Sequence, residues 1–189
     1  MSGKLIILSG PSGAGKSSIA MHLLKNTKYN LAFSVSACSR KKREDETDGK
    51  DYYFLSIDTF KSKIEENEFL EWEEVYTNHY YGTLKIEVDK LLSLGKNVIF
   101  DVDVMGGMNI KRKYGENALS FFISPPSIEA LEERLITRNT ESEESISKRV
   151  RKAKLEMSYA KRFDHLILNE NLELARTETE KIVEKFLIG

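Results

Sequence analysis

Hydrophobic and polar positions divide the chain into short apolar runs separated by segments with helical periodicity. Five runs predict β-strands over residues 5–9, 31–36, 97–103, 118–124 and 165–169. Because helical patterns fill most of the intervals, the sequence predicts an α/β fold with a mostly parallel five-stranded sheet flanked by helices. Three strands end on a polar residue, namely Ser36, Asp103 and Asn169. Ligands of open parallel sheets bind beyond the carboxyl ends of the strands, so we expect these residues near the ligand.

Residues 37–83 interrupt the alternation with short aromatic runs around one helix, which is predicted over about residues 57–66. We therefore expect this segment to form a small α+β lobe inserted into the main fold. In one aromatic run, strand alternation places the side chains of Glu71 and Trp72 on opposite faces. We expect Trp72 in the core of the lobe, with Glu71 facing outward.

Two amphipathic helices are predicted within residues 127–160, between the fourth and fifth strands. Arg134 and Arg138 share a helix face because they are four residues apart, and Arg149 lies on the second helix. An arginine-rich helical hairpin can close over a phosphate site as a lid, although a solvated helix pair has the same composition. We expect a single domain over residues 3–188, its core formed by about residues 1–36, 84–126 and 161–189.

The first predicted strand leads directly into a glycine-rich loop and then a helix. The loop consists of Gly10, Pro11, Ser12, Gly13, Ala14, Gly15, Lys16 and Ser17. Its glycines permit a tight turn whose N–H groups point at a polyphosphate. Lys16 adds a positive charge near the β- and γ-phosphates, the Ser17 hydroxyl can bind Mg²⁺, and the helix N-terminus attracts the same anion. The complete pattern predicts nucleotide binding rather than an ordinary turn, but it specifies no reaction.

Composition argues against several other classes of protein. Lys and Arg total 29 against 30 Asp and Glu, and the net charge of −1 gives no reason to expect nucleic acid or a membrane surface as partner. Cys38 is the only cysteine, which excludes an internal disulfide. Since no signal peptide or membrane span is indicated, we expect a cytoplasmic protein. The three histidines are scattered and suggest no transition-metal site.

A basic run after the second strand contains Arg40 and Arg43, whose guanidinium groups can each bind a phosphate bidentately. The acidic residues 44–46 follow at once and cancel most of its field, which argues against a nucleic-acid contact. A solvated basic loop is the alternative interpretation of the two arginines.

Acidic residues suggest a second kind of recognition. A carboxylate only accepts hydrogen bonds, so Glu71 can bind N1–H and the N2 amino group of guanine, whereas adenine presents a lone pair at N1. The alternative is an ordinary surface glutamate. Asp101 and Asp103 alternate at the end of the third strand and point to one face, where Asp101 can assist Mg²⁺ directly or through water. The alternative interpretation is that the two aspartates only cap the following turn.

Six further segments resemble the guanylate kinase family of ATP-dependent GMP kinases. They are FSVSACSR (33–40), GKDYYF (49–54), EFLEW (68–72), YYGT (80–83), DVD (101–103) and RLITR (134–138), within a resemblance over about residues 4–188. The family implies a P-loop kinase fold and in-line transfer of the γ-phosphoryl group of MgATP to GMP, with dGMP as a further acceptor. It also implies a sheet core, a GMP-binding lobe over about residues 37–83 and a lid over about residues 127–160.

The resemblance also implies roles for individual residues. By position, guanine is recognised by Ser36, Glu71, Thr83 and Asp103. The GMP phosphate is held by Arg40, Arg43, Tyr52 and Tyr81. The cations around the transferred group are Lys16, Arg134, Arg138 and Arg149, and the ATP adenine is contacted by Asn169.

The chain departs from the family at Met105, where glutamine is usual, and in a slightly longer connection between Trp72 and Tyr81. Two alternative functions follow from the same motifs. One is a kinase-like module that holds phosphorylated peptides in scaffold proteins, and the other is a kinase for AMP, UMP or another small phosphate ester. The intact phosphate loop argues against the first alternative, and Glu71 argues against the second.

Overall fold

The computed structural model describes residues 3–137 and 143–188. Arg138, a predicted phosphate-binding residue, lies outside them. In chain order the elements are β1 (Leu5–Ser9), α1 (Lys16–Lys25), β2 (Leu31–Phe33), β3 (Ala37–Cys38), β4 (Tyr53–Phe54), α2 (Ile57–Glu65), β5 (Phe69–Tyr76), β6 (His79–Leu84), α3 (Lys85–Ser93), β7 (Asn97–Asp101), α4 (Val104–Tyr114), β8 (Ala118–Ser124), α5 (Ile128–Thr137), α6 (Glu143–Met157), β9 (His165–Leu168) and α7 (Leu172–Ile188).

The larger sheet has five strands in the order β2-β7-β1-β8-β9, and every adjacent pair is parallel. Alternate residues of β1 face opposite layers of helices. Ile6 and Leu8 pack in the cluster that includes α1 and α7, while Leu5 and Ile7 pack in the cluster that includes α3 and α4. The predicted α/β fold with a five-stranded sheet is therefore confirmed, here with all strands parallel.

Three strands end slightly earlier than the sequence suggests. Strands β2, β7 and β9 stop at Phe33, Asp101 and Leu168. The predicted polar strand ends, Ser36, Asp103 and Asn169, consequently lie in the segments just after the strands. Asp103 instead caps α4, because its Oδ1 accepts a hydrogen bond from the backbone N–H of Gly106 at 2.6 Å.

The smaller sheet has the order β4-β3-β6-β5 and is covered by α2. The ring of Phe60 on α2 stacks on Phe69 and Tyr80, with centroids 4.3 and 5.5 Å apart. Trp72 is 46% exposed, so the prediction that it fills this core is wrong. A register shift in β5 between Phe69 and Glu71 interrupts simple alternation, and Phe69 takes the core position that alternation gave to Trp72.

Helices α5 and α6 pack on each other through apolar residues at helical spacing: Leu131, Leu135, Ile146, Val150 and Ala153. Leu131 and Leu135 also approach the glycine-rich loop, since a Cβ on Gly13 would lie 3.0 Å from Leu131. The helix pair is thus placed beside the loop that follows β1. Among the described residues, no helix is both long enough and apolar enough to cross a membrane.

Candidate active site

The loop between β1 and α1 has backbone geometry that requires glycine. Gly10 and Gly15 have φ values of 132° and 99°, which side-chain-bearing residues rarely adopt. A Cβ on Gly10 would lie 2.3 Å from the carbonyl oxygen of Ile123, and one on Gly15 would lie 2.2 Å from Nδ2 of Asn169. The loop is therefore held tightly between β8 and the residue that follows β9.

Lys16 and Ser17 begin α1 at the mouth of this loop. Lys16 Nζ donates hydrogen bonds to the carbonyl oxygens of Gly10 and Pro11, at 2.7 and 3.1 Å, and lies 3.9 Å from Oδ1 of Asp101. The Ser17 hydroxyl donates to Oδ2 of the same aspartate at 2.5 Å. A cation, a hydroxyl and a carboxylate thus meet at the N-terminus of α1.

Two oxygen groups at this position suit Mg²⁺, namely the Ser17 hydroxyl and the Asp101 carboxylate. Magnesium is usually bound by one or two carboxylates together with substrate phosphates and water. Within residues 3–137 and 143–188, no group of three or more His, Cys, Asp or Glu side chains is arranged to hold a metal ion. The Ser17 hydroxyl and the Asp101 carboxylate therefore fit a magnesium ion that arrives with a nucleotide.

Two of the predicted lid arginines reach the loop region by different routes. Arg149 on α6 donates from Nη1 to the Ser12 hydroxyl. Arg134 on α5 donates from Nη2 to the carbonyl oxygen of Asn169 at 2.8 Å. The Asn169 side chain is buried and donates to the carbonyl oxygen of Ala14 at 2.6 Å, so in this structure it supports the loop backbone.

A cavity of about 440 Å³ extends from the loop to the smaller sheet. Most of the predicted site residues line it: Gly10, Ser12, Lys16, Ser36, Arg40, Arg43, Tyr52, Glu71, Tyr81, Asp101, Asp103 and Arg149. Others lie outside its lining: Pro11, Gly13, Ala14, Gly15, Ser17, Thr83, Arg134 and Asn169. The sequence segments that predicted nucleotide and phosphate binding therefore meet around one space.

The basic wall of the cavity is centred on Arg40. Its guanidinium makes a two-pronged contact with the carboxylate of Glu46, one hydrogen bond of which is 2.6 Å long. The same guanidinium lies 5.0 Å from the ring centroid of Tyr52, which packs edge-on against Tyr81 at 5.9 Å. The hydrogen bond from Arg40 lowers the pKa of Glu46 to about 2. The arginine is thus held in a geometry that binds an oxyanion bidentately.

The acidic wall is centred on Glu71, which is only 8% exposed. Burial raises its pKa to about 7, the nearby Asp103 and Glu73 add to this, and a hydrogen bond from Thr83 opposes it. Thr83 Oγ1 donates to Glu71 Oε1 at 2.5 Å from behind the cavity wall. A Cβ on Gly106 would lie 2.7 Å from Glu71 Oε2, so only glycine lets the carboxylate approach α4 this closely.

Glu73 and Lys152 join this wall to α6. Lys152 Nζ lies 2.9 and 3.0 Å from the two carboxylate oxygens of Glu73, and 3.8 Å from Oε1 of Glu156. Burial and a hydrogen bond with Asp103 together raise the pKa of Glu73 to about 7, and Lys152 opposes this rise. All three residues of this group, Glu73, Lys152 and Glu156, line the cavity.

A family model described as guanylate kinase matches residues 2–186. The chain belongs to the guanylate kinase family. A guanylate kinase from Bacteroides fragilis is 54% identical over 184 residues, which cover 97% of this chain and 90% of that protein. The guanylate kinase from Porphyromonas gingivalis is 50% identical, with 97% of this chain and 98% of that protein covered. The crystal structure of guanylate kinase from Anaplasma phagocytophilum matches all of this chain and 88% of its own, at 27% identity and a TM-score of 0.78.

As a member of the guanylate kinase family, the chain is a kinase that transfers phosphate from ATP to GMP. Sequence reasoning missed the following residues of its cavity: Glu46, Glu73, Val75, Gly82, Val102, Lys152 and Glu156. Spacing alone could have suggested two of them, because Glu73 is two residues beyond Glu71 on one strand and Lys152 is three residues beyond Arg149 on one helix. Met105, the departure from the family pattern, is 48% exposed on the first turn of α4 and does not line the cavity.

Proposed function

We propose that the cavity between the glycine-rich loop and the smaller sheet is where the γ-phosphoryl group of MgATP passes in line to the phosphate of GMP, giving ADP and GDP. One observation carries the proposal: a single space of about 440 Å³ is lined by Lys16 at one end and by Arg40 and Glu71 at the other. Donor and acceptor phosphates can therefore meet without crossing solvent. We include dGMP as an acceptor, since the proposed contacts are to base and phosphate.

At the donor end, the loop N–H groups hold the polyphosphate and Lys16 neutralises its β- and γ-oxygens. Arg149 and Arg134 stabilise the negative charge that spreads over the transferred group. Magnesium, held with the nucleotide by Ser17 and Asp101, would neutralise phosphate charge. Asn169 supports this end by fixing the loop backbone, and the contact with the ATP adenine that the family implies is assigned to the same residue.

At the acceptor end, guanine recognition is assigned to Ser36, Glu71, Thr83 and Asp103. Glu71 accepts hydrogen bonds from N1–H and the N2 amino group, and Thr83 orients its carboxylate from behind. The GMP phosphate is assigned to Arg40, Arg43, Tyr52 and Tyr81. Support for this comes from the two-pronged contact of Arg40 with Glu46, in which a carboxylate lies where a phosphate oxyanion would bind.

The mechanism we propose has no covalent intermediate and no general base, because a GMP phosphate oxygen is already a sufficient nucleophile. Rate enhancement comes from alignment of the two phosphates and from the cations around them. The lobe over about residues 37–83 and the helices of about residues 127–160 would close to exclude water, which favours GMP over hydrolysis. We also propose that the enzyme acts in the cytoplasm.

The deciding experiment measures ADP release from MgATP with GMP, dGMP, AMP, UMP or no acceptor. We expect turnover with GMP and dGMP and little with the other three conditions. Turnover with AMP or UMP would contradict the role given to Glu71. Folded protein that binds GMP without turnover would contradict the kinase mechanism and favour a binding module.

A further inference from the structure

Helix α6 contacts both ends of the cavity within one turn of helix. Arg149 bonds the Ser12 hydroxyl of the phosphate loop, and three residues later Lys152 bonds Glu73 of the smaller sheet. Residues three apart on a helix share a face, so both side chains project into the same space. One rigid element therefore joins the donor loop to the acceptor sheet.

The partner of Lys152 is closely tied to the proposed guanine site. Glu73 follows Glu71 by two residues on β5, and both line the cavity. In the β5–β6 pairing, Glu71 lies opposite Thr83 and Glu73 lies opposite Tyr81. A ligand that fixes Glu71 and Tyr81 consequently also fixes the carboxylate that Lys152 grips.

The ion pair is bidentate, but it is too exposed to contribute much to folding. The Lys152 and Glu73 side chains are 41% and 31% exposed, and pairs of this kind add little to the free energy of unfolding. The ion pair instead fixes the position of α6 relative to β5, because it connects residues 79 apart in sequence across the cavity. Glu156, one turn further on and 3.8 Å from Lys152 Nζ, keeps the lysine aimed inward.

We propose that Lys152 and Glu73 are positioning residues that couple GMP occupancy to the placement of Arg149 at the phosphate loop. This inference rests on the proposed function of the cavity. When GMP orders β5 and β6, the ion pair holds α6 so that Arg149 faces the transferred phosphoryl group. Without the pair, GMP still binds, but α6 is no longer held over the donor, so transfer slows and water competes better.

Kinetics of Lys152→Gln, Glu73→Gln and the double variant test the coupling. Each single variant is expected to lower kcat for GMP phosphorylation about tenfold, with KM for GMP changed less than about threefold, as for contacting charges that act as one unit. The double variant should then also lose about tenfold, not a hundredfold. The rate of ATP hydrolysis relative to transfer should rise. Lys154→Gln, an exposed lysine on the same helix, is the matched control and should behave as the unchanged protein.

A distance measurement separates positioning from a merely structural role. Spin labels at Glu65→Cys on α2 and Arg151→Cys on α6, both exposed positions, report the lobe-to-helix distance. We expect GMP to narrow this distribution in the otherwise unchanged protein and to leave it broad in Lys152→Gln.

Three results would overturn the inference. The first is that Lys152→Gln has the same kcat and KM as Lys154→Gln, and the second is that the losses of kcat multiply in the double variant. The third is that GMP narrows the distance distribution in Lys152→Gln as much as in the otherwise unchanged protein. If the unchanged protein shows the GMP-induced narrowing but no turnover, the proposed function fails while the coupling stands. If it neither binds GMP nor narrows, both fail.

Discussion

The two ends of the cavity differ in construction, since one is a contiguous backbone loop and the other is a set of dispersed side chains. The donor end is built around eight consecutive residues, Gly10 to Ser17, whose backbone shape is imposed by glycines with positive φ. The acceptor end is assembled from side chains spread from Ser36 to Asp103, including the buried acid Glu71 with a pKa raised to about 7. The donor end should therefore depend on backbone geometry and on the cations beside it, Lys16 above all. The acceptor end should respond to single side chains and to pH.

The largest effect we expect is at the donor end, from Lys16→Met. Loss of the cation beside the developing phosphoryl charge should lower kcat by about a thousandfold or more, the cost of removing a strong electrostatic contact in a transition state. GMP affinity, measured by calorimetry, should change little, because the acceptor residues are untouched. Equal losses of GMP binding and turnover would show that the two ends are not separate.

Glu71→Gln tests the acceptor end. Replacing the carboxylate removes charge-assisted bonds worth about 1.5–3 kcal/mol each, and the amide N–H₂ faces the guanine donors, so kcat/KM for GMP should fall about a hundredfold or more. MgATP affinity should be unchanged. Glu74→Gln, at an exposed position on the same strand, is the control, since its amide oxygen can still accept the hydrogen bond from the Asn78 N–H. A parallel loss of ATP affinity in Glu71→Gln would argue against base recognition.

The same contrast explains what the sequence could predict. The five parallel strands and the glycine-rich loop follow from contiguous local patterns, and their positions were correct to within a few residues. Trp72 was misplaced because the register shift beside Glu71 leaves no mark in hydrophobic alternation. The pairing of Glu73 with Lys152 could not be predicted, because it depends on α6 crossing the cavity, a tertiary contact that no local pattern encodes.

A change of pH should act through the acceptor end, where the pKa values of Glu71 and Glu73 are raised, and should leave MgATP binding nearly unchanged. Guanine recognition requires ionised Glu71, whose pKa is raised to about 7, so KM for GMP should rise as pH falls from 8 to 6, by at most about tenfold per unit for one proton. Glu73, with a pKa also raised to about 7, titrates in the same range beside Asp103 and Lys152. The affinity for MgATP, measured in parallel by calorimetry, serves as the comparison and should stay nearly constant between pH 8 and 6.5.

The pH dependence of folding stability has the opposite sign: lowering the pH weakens GMP binding but increases the contribution of Glu71 to the free energy of unfolding. Because the pKa of Glu71 is raised from 4.5 to about 7 on folding, the folded protein binds this proton more tightly than the unfolded chain. This group therefore favours folding most below pH 4.5, and its contribution is lost as pH rises toward 7. Denaturant titrations of the ligand-free protein should show this decline, and Glu71→Gln should reduce it to the part that Glu73 contributes.

The smallest effect we expect comes from Thr83→Val, which acts on the acceptor end through Glu71. The Thr83 hydroxyl donates to Glu71 Oε1 at 2.5 Å and lowers the pKa of that carboxyl against the effect of burial. Its loss should move the pH midpoint of KM for GMP upward and weaken GMP binding at pH 7 about fivefold, the equivalent of about 1 kcal/mol for one hydrogen bond. Thr83→Ser keeps the hydroxyl and should retain the original midpoint. A shift in Thr83→Ser equal to that in Thr83→Val would mean that the methyl packing, and not the hydrogen bond, sets the ionisation of Glu71.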